Sequence, residues 1–176
     1  SGDIDLIKNQ GDDFKITFVD TGLETMTGSR IKKAQQVIGN KRFMMTYGDG
    51  LSDINIEKLL KFHEEKGRLA TVTGVRKKNQ YGILKTDNGI ATYFEEKKDY
   101  SGVINGGFFV FEPGIFDYLS EWNDCALEKE PLKNLVRDRE LAVYMHEGFW
   151  YAADTHNDID ELNKMCEENM DLWRVW

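Results

Sequence analysis

Proline is nearly missing from this chain of 176 residues, at Pro113 and Pro131 only. That excludes a proline-rich linker, and both prolines stand where a helix can begin, since proline suits the first helical turn. Cysteine is equally scarce. Cys125 and Cys166 lie far apart, so they make neither a zinc site nor a disulfide framework, and free thiols in a reducing compartment are expected. The three histidines share no metal-ligand spacing. No apolar run is long enough to span a bilayer, and no basic segment leads into an apolar stretch as in a secretory leader. A cytoplasmic protein without a membrane partner is therefore expected. Basic charge is also in deficit: the formal net charge is −8, which argues against a nucleic-acid partner. No repeat, G-x-G-x-x-G or P-loop occurs.

Hydrophobic residues make up 40% and charged residues 31%, a balance that supports one domain with a core over residues 1–176. Strand and helix patterns alternate. Lys15 to Asp20 reads as a strand and Arg30 to Val37 as a short helix ended by Gly39-Asn40. Arg42 to Tyr47 reads as a strand buried on both faces. Asn55 caps a helix to Lys66, with Ile56, Leu59, Leu60 and His63 on one face and Gly67 as the stop. Leu69 to Val75 completes a strand–helix–strand unit of the size of a βαβ crossover. Tyr81 to Lys85 and Ile90 to Phe94 flank Asn88-Gly89, a hairpin signal. Ile104 to Glu112 is a strand, and Pro113 to Ser120 and Pro131 to Arg137 are helices. Leu141 to His146 and Phe149 to Ala153 are strands, and Asn157 or Asp158 caps a last helix whose inner face carries Ile159, Leu162 and Met165 or Cys166.

Four constellations could carry chemistry. In Thr46-Tyr47-Gly48-Asp49-Gly50 an acid follows a buried strand between glycines; ligands of open α/β sheets bind there, but a tight turn with a solvated acid reads the same way. Asp154 follows an aromatic strand and precedes a helix, where a helix-capping role competes with a ligand role. Two strand-end acids fit Mg²⁺, which uses one or two carboxylates alongside phosphate and water. Glu95-Glu96-Lys97-Lys98 with Ile104-Asn105-Gly106-Gly107 could hold a sugar phosphate, or could be a solvated charge run beside a glycine-softened strand. Thr21 to Arg30, rich in Gly and Thr, could grip a nucleotide or be an ordinary surface loop.

These segments, in order with Glu130-Pro131-Leu132, His146-Glu147-Gly148-Phe149-Trp150 and Asp154-Thr155, resemble the sugar-1-phosphate nucleotidyltransferases, glucose-1-phosphate cytidylyltransferases in particular, over residues 4 to 176. The resemblance implies an α/β fold: part of that family's Rossmann-like mixed sheet, with helices on both faces and an added antiparallel β-hairpin. It implies CTP and glucose 1-phosphate as substrates, CDP-glucose and pyrophosphate as products, a role in supplying surface polysaccharide, and an oligomer. Asp49 and Asp154 would hold Mg²⁺; Thr25, Arg30 and Gly48 would contact the nucleotide. Glu96, Lys97, Asn105 and Gly106 would bind the sugar phosphate, with Lys97 also counted as catalytic.

The chain departs from the family pattern in three places. The Gly-rich front signature with its catalytic Arg and following Lys is not in these residues, so weak or no turnover by this chain alone is expected; a non-catalytic sugar-phosphate-binding or assembly subunit is the alternative. Glu96-Lys97-Lys98 stands where the family has Glu-Lys-Pro, which leaves that loop without proline's fixed φ. Gly28-Ser29 stands where it has Gly-Gly, which is tolerable unless the second position needs positive φ.

Overall fold

A computed structural model of the chain describes residues 15–78, 83–87, 90–95 and 100–174. The central sheet has the order β1-β6-β3-β7, with β1 Phe43–Thr46, β3 Ala70–Lys78, β6 Tyr100–Phe111 and β7 Leu141–His146. β6 runs antiparallel to both β1 and β3, while β3 and β7 are parallel. β1 and β3 therefore point the same way with β6 between them, and helix α2 (Ile56–Lys66) makes the crossover. This is the predicted α/β arrangement, and the predicted strand–helix–strand unit is one part of it.

Side-chain alternation divides the sheet into two buried faces. On one face Ala70, Val72, Phe109 and Phe111 pack with Ile115, Phe116, Leu127 and Leu135, and with Ile31 and Ile38 of helix α1 (Thr27–Ile38) and Leu132 of α3 (Glu130–Arg137). Phe109 and Phe111 stack with ring centroids 5.3 Å apart. Burying each such side chain contributes about 1.5–3 kcal/mol. On the other face α2 lays Leu59 and His63, and the His63 Nδ1 sits 2.8 Å from the buried Thr71 hydroxyl. Helices thus cover both faces.

Local signals explain the helix limits. The Asn55 side chain accepts from the Lys58 N–H at 2.8 Å, and Gly67 ends α2 in the left-handed region at φ +57. Of the predicted face, Leu59 and His63 are buried while Ile56 is 42% exposed. The antiparallel hairpin is present as β4 (Ile83–Asp87) and β5 (Ile90–Glu95), with Asp87 paired to Ile90 across a two-residue connection; the connecting Asn88 and Gly89 lie outside the described residues.

Several expectations are corrected. Lys15 to Asp20 forms no strand: it runs as irregular chain, with Ile16 and Phe18 68% and 76% exposed, because among the described residues nothing pairs with it. α1 begins at Thr27, not Arg30, and Pro113–Tyr118 is a 3₁₀ turn, not an α-helix. The last helix, α4 (His156–Glu167), is capped by Thr155. Asp158 supplies the other half of that capping box, its carboxylate accepting from the Thr155 N–H at 2.7 Å. Leu162 is buried on the inner face of α4, but Ile159 and Cys166 are exposed. Both cysteines are free.

Candidate active site

The turn after β1 carries Tyr47, Gly48 and Asp49, and then the chain enters β2 (Gly50–Ser52), a short strand with no sequence pattern of its own. β2 pairs antiparallel with β8 (Trp150–Ala152) in a ribbon of three residue pairs. The ladder runs one step further, since the Ala153 N–H donates to the Asp49 carbonyl at 2.9 Å. Asp49 and Asp154 are thereby placed at one end of one ribbon. Both are exposed, and among the described residues neither carboxylate accepts a side-chain hydrogen bond or sits in an ion pair. Asp154 does not cap α4; that role belongs to Thr155.

Two contacts fasten the ribbon to the sheet. The Trp150 indole N–H donates to the Gly106 carbonyl at 2.7 Å. His146 Nε2, at the end of β7, lies 2.8 Å from Asp53 Oδ1 and 3.2 Å from the Ser52 hydroxyl. Gly148 leaves room for this pair, since a Cβ there would displace the Asp53 carboxylate and the His146 ring.

β6 brings Asn105 and Gly106 to the same end of the sheet. The Tyr47 N–H donates to the Gly107 carbonyl at 3.2 Å, and the Asn105 Oδ1 accepts from the Gly107 N–H at 2.8 Å. Gly107 has φ +80 and lies under the Tyr47 ring. Gly106 is tight against β3, where a Cβ would come within 3.0 Å of Val75 and 3.1 Å of the Thr73 carbonyl. Its smallness therefore serves the packing of the sheet. Gly48 differs: a Cβ there meets nothing within 4 Å, and its φ is not positive. Nothing within the described residues requires glycine at that position.

Thr25 and Arg30 lie around the start of α1. Thr25 is buried; its hydroxyl donates to the Thr21 carbonyl and accepts from Lys33 Nζ at 3.1 Å. Arg30 clamps the preceding turn, with Nη1 donating to the Thr21 hydroxyl at 2.6 Å and Nη2 to the Leu23 carbonyl at 2.9 Å. Ser29 has ordinary helical φ, and its hydroxyl, which donates to the Trp122 carbonyl, also accepts from the Cys125 N–H at 3.2 Å. The Gly28-Ser29 departure is thus absorbed without strain. Glu96 and Lys97 lie outside the described residues.

Sequence reasoning missed two side chains that join these pieces. The Tyr47 hydroxyl donates to Glu128 Oε1, and the Thr27 hydroxyl donates to Glu128 Oε2 at 2.7 Å. Burial first, and then the Glu128 hydrogen bond, raise the Tyr47 pKa, so the phenol keeps its proton at neutral pH.

The architecture has relatives among solved structures. UDP-glucose pyrophosphorylase complexed with UDP-glucose aligns with a TM-score of 0.64 at 15% identity, covering 87% of this chain and 66% of that one. HddC from Yersinia pseudotuberculosis aligns with a TM-score of 0.56 at 19% identity, covering 82% and 62%. These define the class: an α/β mixed-sheet fold shared with UDP-glucose pyrophosphorylase. The chain belongs to the nucleotidyl transferase family, whose model matches residues 7–169. It is 47% identical, over its full length and 69% of the relative's, to the "Probable glucose-1-phosphate cytidylyltransferase" of Bacillus subtilis (strain 168). It is 37% identical over 166 residues to the glucose-1-phosphate cytidylyltransferase of Salmonella typhimurium, 93% of this chain and 64% of that one. The chain thus spans about two thirds of the length of these curated relatives.

Proposed function

We propose that the chain carries the metal and sugar-phosphate side of a glucose-1-phosphate cytidylyltransferase: glucose 1-phosphate attacks the α-phosphorus of CTP, giving CDP-glucose and pyrophosphate. The observation that carries this reading is the pairing of Asp49 with Ala153, which sets Asp49 and Asp154 at one ribbon end, both carboxylates without a side-chain partner among the described residues. The alternative of a sugar-phosphate-binding or assembly subunit without catalysis predicts the same ligand contacts and no pyrophosphate.

Two exposed carboxylates at one ribbon end suit Mg²⁺, a hard cation that takes oxygen ligands and shares its shell with substrate phosphates. When bound, the ion would neutralise charge on the phosphate oxygens. Gly48 leaves the backbone beside Asp49 open to a bulky group. Thr25 and Arg30, which shape the turn before α1, would stand on the nucleotide side, the Arg30 guanidinium supplying charge-assisted donors to phosphate. Asn105 presents its amide to sugar or phosphate oxygens, and Lys97 supplies a point charge for the sugar phosphate, with Glu96 accepting from sugar hydroxyls. Substrates of this kind belong to the cytoplasm, and an oligomer fits the exposed outer edge of β1, which pairs only with β6 among the described residues.

The experiment is incubation of the purified chain with CTP, glucose 1-phosphate and Mg²⁺, following pyrophosphate release, with glucose 1-phosphate titrated by calorimetry alongside. Binding heat with turnover supports the transferase, and binding heat without turnover supports the subunit. The absence of both sinks the reading.

A further inference from the structure

Glu128 stands in Leu127-Glu128-Lys129-Glu130, a charged stretch with the look of a solvated surface, and its carboxylate is exposed. Yet its two oxygens are divided between elements far apart in sequence. Oε2 accepts from Thr27, the first residue of α1, whose hydroxyl in turn accepts from the Leu127 N–H at 2.9 Å. Oε1 accepts from Tyr47, two residues before Asp49. The Tyr47 ring has little freedom: it lies over Gly107 and meets Phe109 edge-on, with centroids 5.9 Å apart at 76°.

The direction of these hydrogen bonds has a consequence one residue further on. A carboxylate can only accept, so the Tyr47 proton points toward Glu128. The Tyr47 oxygen is then left as an acceptor facing Asn105, whose Nδ2 lies 3.5 Å away. The other end of the same carboxamide, Oδ1, is held by the Gly107 N–H at 2.8 Å. Two contacts therefore set which way the amide is turned: the Gly107 N–H on Oδ1, and on Nδ2 the chain of donors that runs Asn105 to Tyr47 to Glu128. Asn105 can then offer only its remaining N–H to a ligand. Without the carboxylate the phenol proton is free to turn toward Asn105, and the amide is held by the Gly107 contact alone.

We infer that Glu128 is a positioning residue: through Tyr47 it sets the Asn105 amide as a hydrogen-bond donor to the sugar phosphate, and through Thr27 it ties that setting to the start of α1. This rests on the functional reading above for the identity of the ligand. A surface glutamate with a purely structural role would change stability and leave ligand affinity alone.

The test is calorimetric titration of glucose 1-phosphate into the wild-type chain, E128A, E128Q, Y47F and the E128A/Y47F double variant, with thermal melts of each. The ligand-free chain also has a readout, the side-chain amide signals of Asn105 in ¹⁵N–¹H spectra. The expected result is an affinity about tenfold weaker in E128A and in Y47F, the loss of roughly one hydrogen bond. The double variant should be no weaker than either single one, the non-additivity of residues acting as one unit. E128Q, which keeps a carbonyl acceptor, should regain most of the affinity, and the Asn105 amide signals should move in E128A. Wild-type binding with an unchanged E128A affinity, or losses that multiply in the double variant, overturns the inference and leaves the functional reading standing. A wild-type chain that binds no glucose 1-phosphate overturns the functional reading, and this inference with it.

Discussion

The Ala153 N–H donates to the Asp49 carbonyl at 2.9 Å, and through that one bond two acids more than a hundred residues apart in sequence come to the same end of a ribbon. Asp49→Asn and Asp154→Asn should each weaken Mg²⁺-dependent nucleotide binding by about tenfold or more, since a neutral amide oxygen is a weaker ligand to a hard cation than a charged carboxylate. Both side chains are exposed, so stability should stay within about 0.5 kcal/mol of the parent. Calorimetry with and without Mg²⁺, alongside a melt, separates the two. Metal dependence that persists in both variants would show that the acids do not hold the ion.

Gly107 is required twice over: its φ is +80, and a Cβ would sit 2.8 Å from the Tyr47 ring. Gly107→Ala should cost about 1–3 kcal/mol of stability from backbone strain alone. Tyr47→Ala in the same chain removes the steric part and not the conformational part, so the double variant should remain less stable than Tyr47→Ala by itself. Chemical denaturation measures both differences.

Thr155→Ala removes one half of the capping box of α4 and should cost about 1 kcal/mol. Thr155→Ser keeps the hydroxyl and should cost far less. The comparison is read from denaturation midpoints, and equal losses would mean that the cap is not what matters at this position.

Glu112 carries a pH signature. Burial works against its charge, but hydrogen bonds from Arg42, at 2.6 Å, and from His63 outweigh it and hold the carboxyl below the usual glutamate range. A depressed carboxyl contributes stability above its unfolded pKa, and that contribution fades as pH falls through about 4.3 toward the folded value. Melting temperature should therefore fall as pH is lowered below about 4.3, and Glu112→Gln should flatten the fall over that window. An unaltered acid limb in the variant would remove Glu112 as its source.

What the sequence disclosed was whatever is decided within a few residues. Asn55 and Gly67 mark the two ends of α2 because a cap and a left-handed stop are local geometry. Asn88-Gly89 announces a hairpin for the same reason, and the Asp87–Ile90 pairing agrees. Lys15 to Asp20 has the composition of a strand, but a strand also needs a neighbour, which composition does not report. The site was legible as two acids and not as a site, since the bond joining Asp49 to Ala153 depends on a pairing of β2 with β8 that no short pattern announces. Tyr47 could have been found from its place at a strand end beside Asp49. Glu128 left no signal, because a carboxylate between Leu127 and Lys129 reads as solvated surface.

The ribbon of β2 and β8 has only three residue pairs and belongs to a sheet of its own. So short a ladder can open without the central sheet unfolding, and its amides should exchange with solvent well before those of β3 and β6. Any ligand that bridges its two acids has to find the ribbon closed, and by binding holds it closed. Occupancy and ribbon opening are then linked equilibria, each shifting the other. Exchange rates at Leu51 and Tyr151 would report the presence of substrate from inside the backbone.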